Sequence, residues 1–398
     1  MHPGRAIVNS PDRMDSNIRL FYAYIFLNRL EMWLPVTVLF VTGKGVSLAK
    51  YTILDAMWYA STLAFEVPTG AVTDRYGKKI SLLIAALLQS LSLFILAFGN
   101  TFLAMLISYV LWGFGASFET GTNDAFIYDS LKQMDREGDY RKVRGRIATL
   151  SFLAGACGSI LAGYLGGIRL ALPIVLTASI ALLLCPLILL FKEPTVSDAR
   201  EPSYLLHIKE SVHYVLDHRL ALLLILYSSI LATAVWGLHD FYQPLLRSFD
   251  ISVERIGLLY LTFRLSSAAG ASLSDRVYKG VGRVSIYLLP LCFTLAVLGM
   301  GFLVTPWVIG FILVIYFIEG LYYPILNALL NRNIPSGKRA TIISLGSVLD
   351  CLAGCVAYPA LGRIADLASL QAAFRVLGLG MLVGMSLVLP LLRREATT

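Results

Sequence analysis

Apolar runs of roughly twenty residues alternate with short polar breaks along nearly the whole chain. A bilayer core about 30 Å thick needs roughly 20 apolar residues per helix, so each run reads as one membrane span. The first six fall at 18–42, 51–71, 79–98, 102–128, 146–167 and 170–191. The last six fall at 219–242, 254–274, 284–303, 305–329, 340–362 and 371–392. One polar stretch, 192–218, is longer than the others and separates a six-span segment 1–191 from a second at 219–398. Within it Leu205, Leu206, Ile208, Val212, Val215 and Leu216 form an apolar stripe beside Lys209, Glu210 and Asp217. That pattern predicts a short amphipathic helix lying on the membrane surface as a strap between the halves.

Composition agrees with an all-α membrane protein. Hydrophobic residues make up 57% of the 398, charged residues 15%, and the mean hydropathy is +0.72; soluble domains carry about 25% charged residues. The formal charge of +8 is no sign of nucleic-acid binding, because its placement follows topology. With the N-terminus inside, the inner segments hold 24 basic residues and the outer ones 6, which predicts cytoplasmic termini at both ends. The first seventeen residues have no apolar core of the kind a cleaved signal peptide needs. All five cysteines lie in apolar stretches, where thiols behave as small hydrophobes. Cys351 and Cys355, one helical turn apart, read as packing residues, and neither a metal nor a cofactor is expected.

The polar break after the second span reads Gly70-Ala-Val-Thr-Asp74-Arg75-Tyr-Gly77-Lys78-Lys79. A worn copy follows the eighth span, with Asp275 and Arg276 in place of Asp74 and Arg75. The recurrence implies duplicated halves, and duplicated halves in a chain this apolar point to a transporter. This loop, with Phe65-Glu66-Val67-Pro68-Thr69, Thr120-Gly121-Thr122-Asn123-Asp124-Ala125 and Asn331-Arg332-Asn333-Ile334-Pro335, resembles the major facilitator superfamily, in particular a bacterial branch of drug and metabolite exporters. The resemblance covers essentially the whole chain. It implies twelve transmembrane helices in two pseudo-symmetric halves, working by alternating access. It also implies that Asp74 docks on the start of the eleventh helix, near Ala340, and that Asp74, Arg75 and Lys78 form a conformational latch, with Asp275 and Arg276 their counterparts. Gly70 is expected to permit close helix approach and Gly77 to relieve the turn. Two motifs depart from the family's antiporter patterns: Tyr109 stands where a fourth-helix Arg is common, and Gly155, Gly158 and Gly163 have no accompanying Pro.

Charges inside spans cost at least about 2.5–3.5 kcal/mol each and so should face a cavity or a partner. Arg29, Glu31, Glu66, Glu119, Asp124, Arg264, Glu319 and Asp350 are of this kind. Arg29 and Glu31 cannot meet on one continuous helix, so Arg29–Glu319 or Arg264–Glu31 pairs are expected. Asp124 and Asp129 are expected to pair with Arg144, Arg146 or Arg339 as a gate. His239 reads as an interfacial hydrogen-bonding group or a proton relay. Trp112, Tyr316 and Tyr323 are aromatic candidates for stacking on a cargo.

From these residues the expected activity is proton-coupled export of a small amphipathic or cationic compound by a monomer in the plasma (inner) membrane. Glu31, Glu119 and Glu319 are the candidate coupling acids. The competing reading is an organic-anion carrier with Arg29 and Arg264 as the clamp. An enzyme is not expected, since no HExxH, GxSxG or Walker A sequence occurs.

Overall fold

The computed structural model of the protein describes residues 11–194, 215, 218–333 and 339–395, with the side chains of 11–14, 330–333, 339–344 and 393–395 left out. The apolar stripe predicted for the linker lies outside the described residues except for Val215, and the side chain of Arg339 does too.

Fourteen α-helices follow one another in the described residues: α1 Pro11–Asn28, α2 Thr37–Gly43, α3 Leu48–Tyr76, α4 Lys78–Phe98, α5 Phe102–Glu119, α6 Thr122–Lys132, α7 Tyr140–Ile168 and α8 Ala171–Leu189. Then come α9 Arg219–Arg247, α10 Val253–Val281, α11 Ser285–Phe302, α12 Val308–Asn333, α13 Arg339–Leu367 and α14 Leu370–Glu395. No strand occurs among them. In hydrocarbon a helix satisfies its own backbone hydrogen bonds, which explains why apolar runs of this length fold this way. Nine stretches of the described residues are long and apolar enough to cross a membrane, and one of them, Val253–Phe302, holds both α10 and α11.

Fourteen helices make twelve spans because two predicted spans are broken. The first, predicted as continuous over 18–42, stops at Asn28 and resumes at Thr37. Pro35 disfavours helix at the residue before it, and Glu31 takes a positive φ of 31°. The fourth, predicted over 102–128, breaks at Gly121, whose φ is 74°. Both interruptions correct the sequence expectation.

Contacts divide the chain into two compact units. The first comprises Met1–Leu34, Ser61–Leu161 and Ala171–Arg200. Here α4 packs between α5 and α8, while α1 rests on α6 and α8. Phe21, Phe126 and Phe191 form its aromatic centre, with ring centroids 4.9–6.2 Å apart. The helix α8 is apolar all round: it buries Ile174, Ala178, Leu184 and Ile188, and exposes Leu182, Leu183 and Leu189. Such a helix needs protein on one side and lipid on the other.

The second unit comprises Pro35–Ala60, Ala162–Leu170 and Glu201–Thr398. In this unit α10 pairs with α12, α11 with α14, and α9 with α13 and α14. The α10–α12 crossing is a reciprocal glycine contact. A Cβ at Gly270 would run into the Phe317 carbonyl, and one at Gly320 into that of Ser267. Small residues at such crossings let backbones touch. The same unit holds α2 and the first turns of α3. A Cβ at Gly362 on α13 would lie 2.8 Å from the Ala49 Cα, and the Cys355 thiol reaches the Ala56 carbonyl at 3.4 Å.

Candidate functional site

In the first unit the two helix breaks meet at one cavity of about 370 Å³. Its wall includes Phe21, Ile25 and Arg29 from the first span, Ala116, Glu119, Thr120, Gly121, Asn123 and Asp124 at the fourth-span break, and Arg144, Ile147 and Ser151 of α7. An interrupted helix presents unsatisfied backbone ends and can carry charge at mid-membrane depth.

Arg29 is the centre of the cluster. Its Nη1 donates to Glu31 Oε1 at 3.2 Å and its Nη2 to Glu119 Oε1 at 3.3 Å. The sequence expectation that Arg29 and Glu31 cannot face each other is therefore overturned. It assumed a continuous helix, and the backbone has left the helix at these residues. Within the first unit Arg29 pairs with both Glu31 and Glu119. Glu119 Oε1 also accepts from Asn28 Nδ2 at 2.9 Å and from Asn123 Nδ2 at 2.8 Å. Behind the cluster, Trp33 and Trp112 meet edge to face at 4.5 Å, and Tyr109 packs on Trp112 at 5.8 Å. Tyr109 thus fills the departed arginine position as a packing residue. A Cβ at Gly158 on α7 would run into the Leu30 carbonyl, so that glycine admits the broken span.

At the rim Asp124 pairs with Arg144 at 2.6 Å, as expected. Asp129 instead meets Lys78 at 2.6 Å, with both side chains largely buried. The expected partners of Asp129 were Arg144, Arg146 or Arg339; the correction follows from α4, whose first turn lies against α6. The start of α4 and the fourth span are therefore tied together.

The turn itself is held by a residue the sequence reading passed over. Gly77 has φ 94°, and the carboxylate of Glu193 caps α4, accepting from Lys78 N at 2.7 Å and Lys79 N at 2.8 Å. A Cβ at Gly77 would lie 2.6 Å from Glu193 Cδ. Asp74 and Arg75 are exposed, and the side chains around Ala340, on which Asp74 was expected to dock, are outside the described residues. Among the described residues no atom lies within 4 Å of a Cβ added at Gly70, whereas close backbone approach occurs at Gly158, Gly270 and Gly320. In the worn copy Asp275 pairs with Lys279 at 2.6 Å on the exposed end of α10 beside Arg276. The turn there falls at Gly282, φ 61°. Outside the spans, hydrogen bonds from Arg19 and Arg136 hold the Asp15 carboxyl below its ordinary range.

In the second unit Glu319 of α12 lies in the field of Arg264 of α10. Tyr316, one turn earlier on α12, is enclosed: it stacks on Phe263 at 5.3 Å, and its hydroxyl is 3.4 Å from His239 Nε2. His239 also faces Trp236 at 5.3 Å, which puts it among aromatic rings. Tyr323 is 40% exposed and packs on Tyr322. The same unit contains Asp55, partly buried, and Asp240, buried, two acids that the sequence reading did not single out.

A profile of the Major Facilitator Superfamily matches residues 21–358. The uncharacterized MFS-type transporter YxaM of Bacillus subtilis (strain 168) is 24% identical over 386 residues, spanning 92% of this chain and 93% of that one. Among solved structures, the nucleoside transporter NupG superposes with a TM-score of 0.79 at 14% identity, covering 94% of this chain and 98% of that chain. A bacterial homolog to the human lysosomal transporter Spinster, inward-facing and unoccupied, gives 0.74 at 14% identity over 98% and 99%. At such identities these two likenesses concern the fold. With twelve spans, a worn internal repeat and a profile match over most of its length, the chain belongs to the Major Facilitator Superfamily and is a multi-pass membrane transporter.

Proposed function

We propose that this transporter exports a small amphipathic or cationic compound by alternating access, driven by the proton gradient. The moving bodies in this reading are 1–191 and 219–398, joined by the linker 192–218. The protein works as a monomer in the plasma (inner) membrane with both termini in the cytoplasm.

One observation carries the choice of cargo. The cluster at the cavity places two carboxylates, Glu31 and Glu119, around one guanidinium, so it holds one excess negative charge. A cationic group entering the cavity can take over a carboxylate from Arg29 and rest against aromatic rings. The organic-anion reading is weakened by the same contacts, since Arg29 is already occupied by two acids.

Reconstituted vesicles test the reading. A lipophilic cation dye should be moved against its gradient under an imposed pH difference, and an uncoupler should stop it. Glu119→Gln should abolish movement. Transport that survives the uncoupler, or a Glu119→Gln variant that still pumps while Arg29→Gln does not, would overturn it.

A further inference from the structure

Asp55 lies in the second turn of α3 and Asp240 near the last turns of α9, both within the second unit. Asp240 is 5% exposed, and its Oδ2 has no hydrogen-bond partner among the described residues. Asp55 is one turn before Tyr59 on α3 and Asp240 one turn after Trp236 on α9, and the Tyr59 and Trp236 rings meet, so each acid lies one turn from that contact, toward the start of α3 and the end of α9. Tyr59 also meets Tyr358 of α13, with ring centroids 6.0 Å apart. Trp236 closes the side of Tyr59 at 6.3 Å. The other titratable groups facing this cluster are Cys351 and Asp350, both on α13. His239, next in the chain to Asp240, turns instead to Tyr316.

Two carboxylates in one apolar enclosure cannot both ionise without strong repulsion, whereas one proton between them makes a short, charge-assisted hydrogen bond. Asp240 Oδ2, an acceptor without a hydrogen-bond partner among the described residues, is where such a proton would be shared. The two acids sit where α3 begins and α9 ends, at the ends of these helices predicted to face outside.

We propose that Asp55 and Asp240 form a proton-binding site that keeps this end closed: one shared proton holds α3 against α9 and α13, and its loss drives them apart. The site deepens the proton-driven reading above, on which it rests, and adds a location and a sign. Acid on the outside face favours closure, and alkali favours opening.

The native Cys355, whose thiol rests on the Ala56 carbonyl, reports the separation. In full-length protein in lipid nanodiscs, with the other four cysteines changed to Ser, Cys355 should react with a water-soluble maleimide faster as pH rises. After correction for thiolate content, measured on the unfolded protein, one released proton gives about tenfold per pH unit until opening saturates. Asp55→Asn and Asp240→Asn should each stay closed and lose this dependence; if one variant does not fold, the other carries the same expectation. Infrared difference spectra of the parent should show one protonated carboxyl band that titrates and is missing from either variant. A band that persists in both variants, labelling that ignores pH in the parent, or closure by Na⁺ at fixed pH without any protonated carboxyl would overturn the proposal. Neither readout requires transport, so a failure of proton-driven export and a failure of this site are separable.

Discussion

The carboxylate of Asp366 caps the helix that begins at Leu48: one oxygen accepts from Leu48 N at 3.0 Å and the other from Ala49 N at 2.9 Å. An acid at a helix N-terminus meets both free amides and the positive end of the helix dipole. Asp366→Ala should therefore cost about 0.5–2 kcal/mol of stability. In the Cys355 labelling assay it should raise reactivity at every pH without changing the slope. Unchanged melting and labelling would show the contact to be incidental.

Arg29 neutralises two acids, so its removal should hurt more than the removal of either. Arg29→Gln should lower stability by about 1.5–3 kcal/mol, the range for hydrogen bonds to charged groups. The double variant Arg29→Gln with Glu119→Gln should recover part of that loss. Thermal unfolding in detergent measures both, and equal losses in the single and double variants would contradict the arrangement.

Gly77 faces two separate constraints, a φ of 94° and the Glu193 carboxylate. Gly77→Ala should destabilise by about 1–3 kcal/mol from backbone strain alone. Adding Glu193→Ala removes the collision but not the strain, and also loses the cap of α4. The double variant should therefore melt no higher than Gly77→Ala. A full rescue would mean that the clash alone was responsible.

Gly158→Ala and Gly70→Ala should differ sharply. The first drives a methyl group into the Leu30 carbonyl beside the broken span, and the second meets open space. Gly70→Ala should stay within about 0.5 kcal/mol of the parent, while Gly158→Ala should express poorly or melt several degrees lower. Comparable melting temperatures would count against the geometry of the first span.

Lys78 and Asp129 make their ion pair with side chains 24% and 14% exposed. Lys78→Asp should impair transport, and combining it with Asp129→Lys should restore part of it. Transport assays on the two single reversals and the swap decide the matter. Impairment without rescue would assign Lys78 a role outside this pair.

The spans, the duplicated turn and the family were legible in the sequence because each is a local pattern. Gly77 followed by two lysines announces a turn, and runs such as 79–98 allow no other reading. The interruption at Arg29–Val36 was not legible, because Met32-Trp33-Leu34 continues the apolar run and only Pro35 marks the break. Without that break the meeting of Arg29 with Glu31 could not be foreseen. Glu193 and Asp366 were missed because a cap from a distant segment leaves no periodic trace near the helix it caps. Asp55 and Asp240 stand alone in separate apolar runs, and only folding brings them together.

The reciprocal fit of Gly270 and Gly320 has a mechanical meaning. With backbone against backbone and no side chain between, α10 and α12 cannot slide past each other without collision. They turn as one lever, and Arg264 and Glu319 ride on it at a fixed separation. Whatever conformational cycle the protein follows, that pair travels as a unit, so its charge balance can be changed by a ligand or a proton but not by the stroke itself.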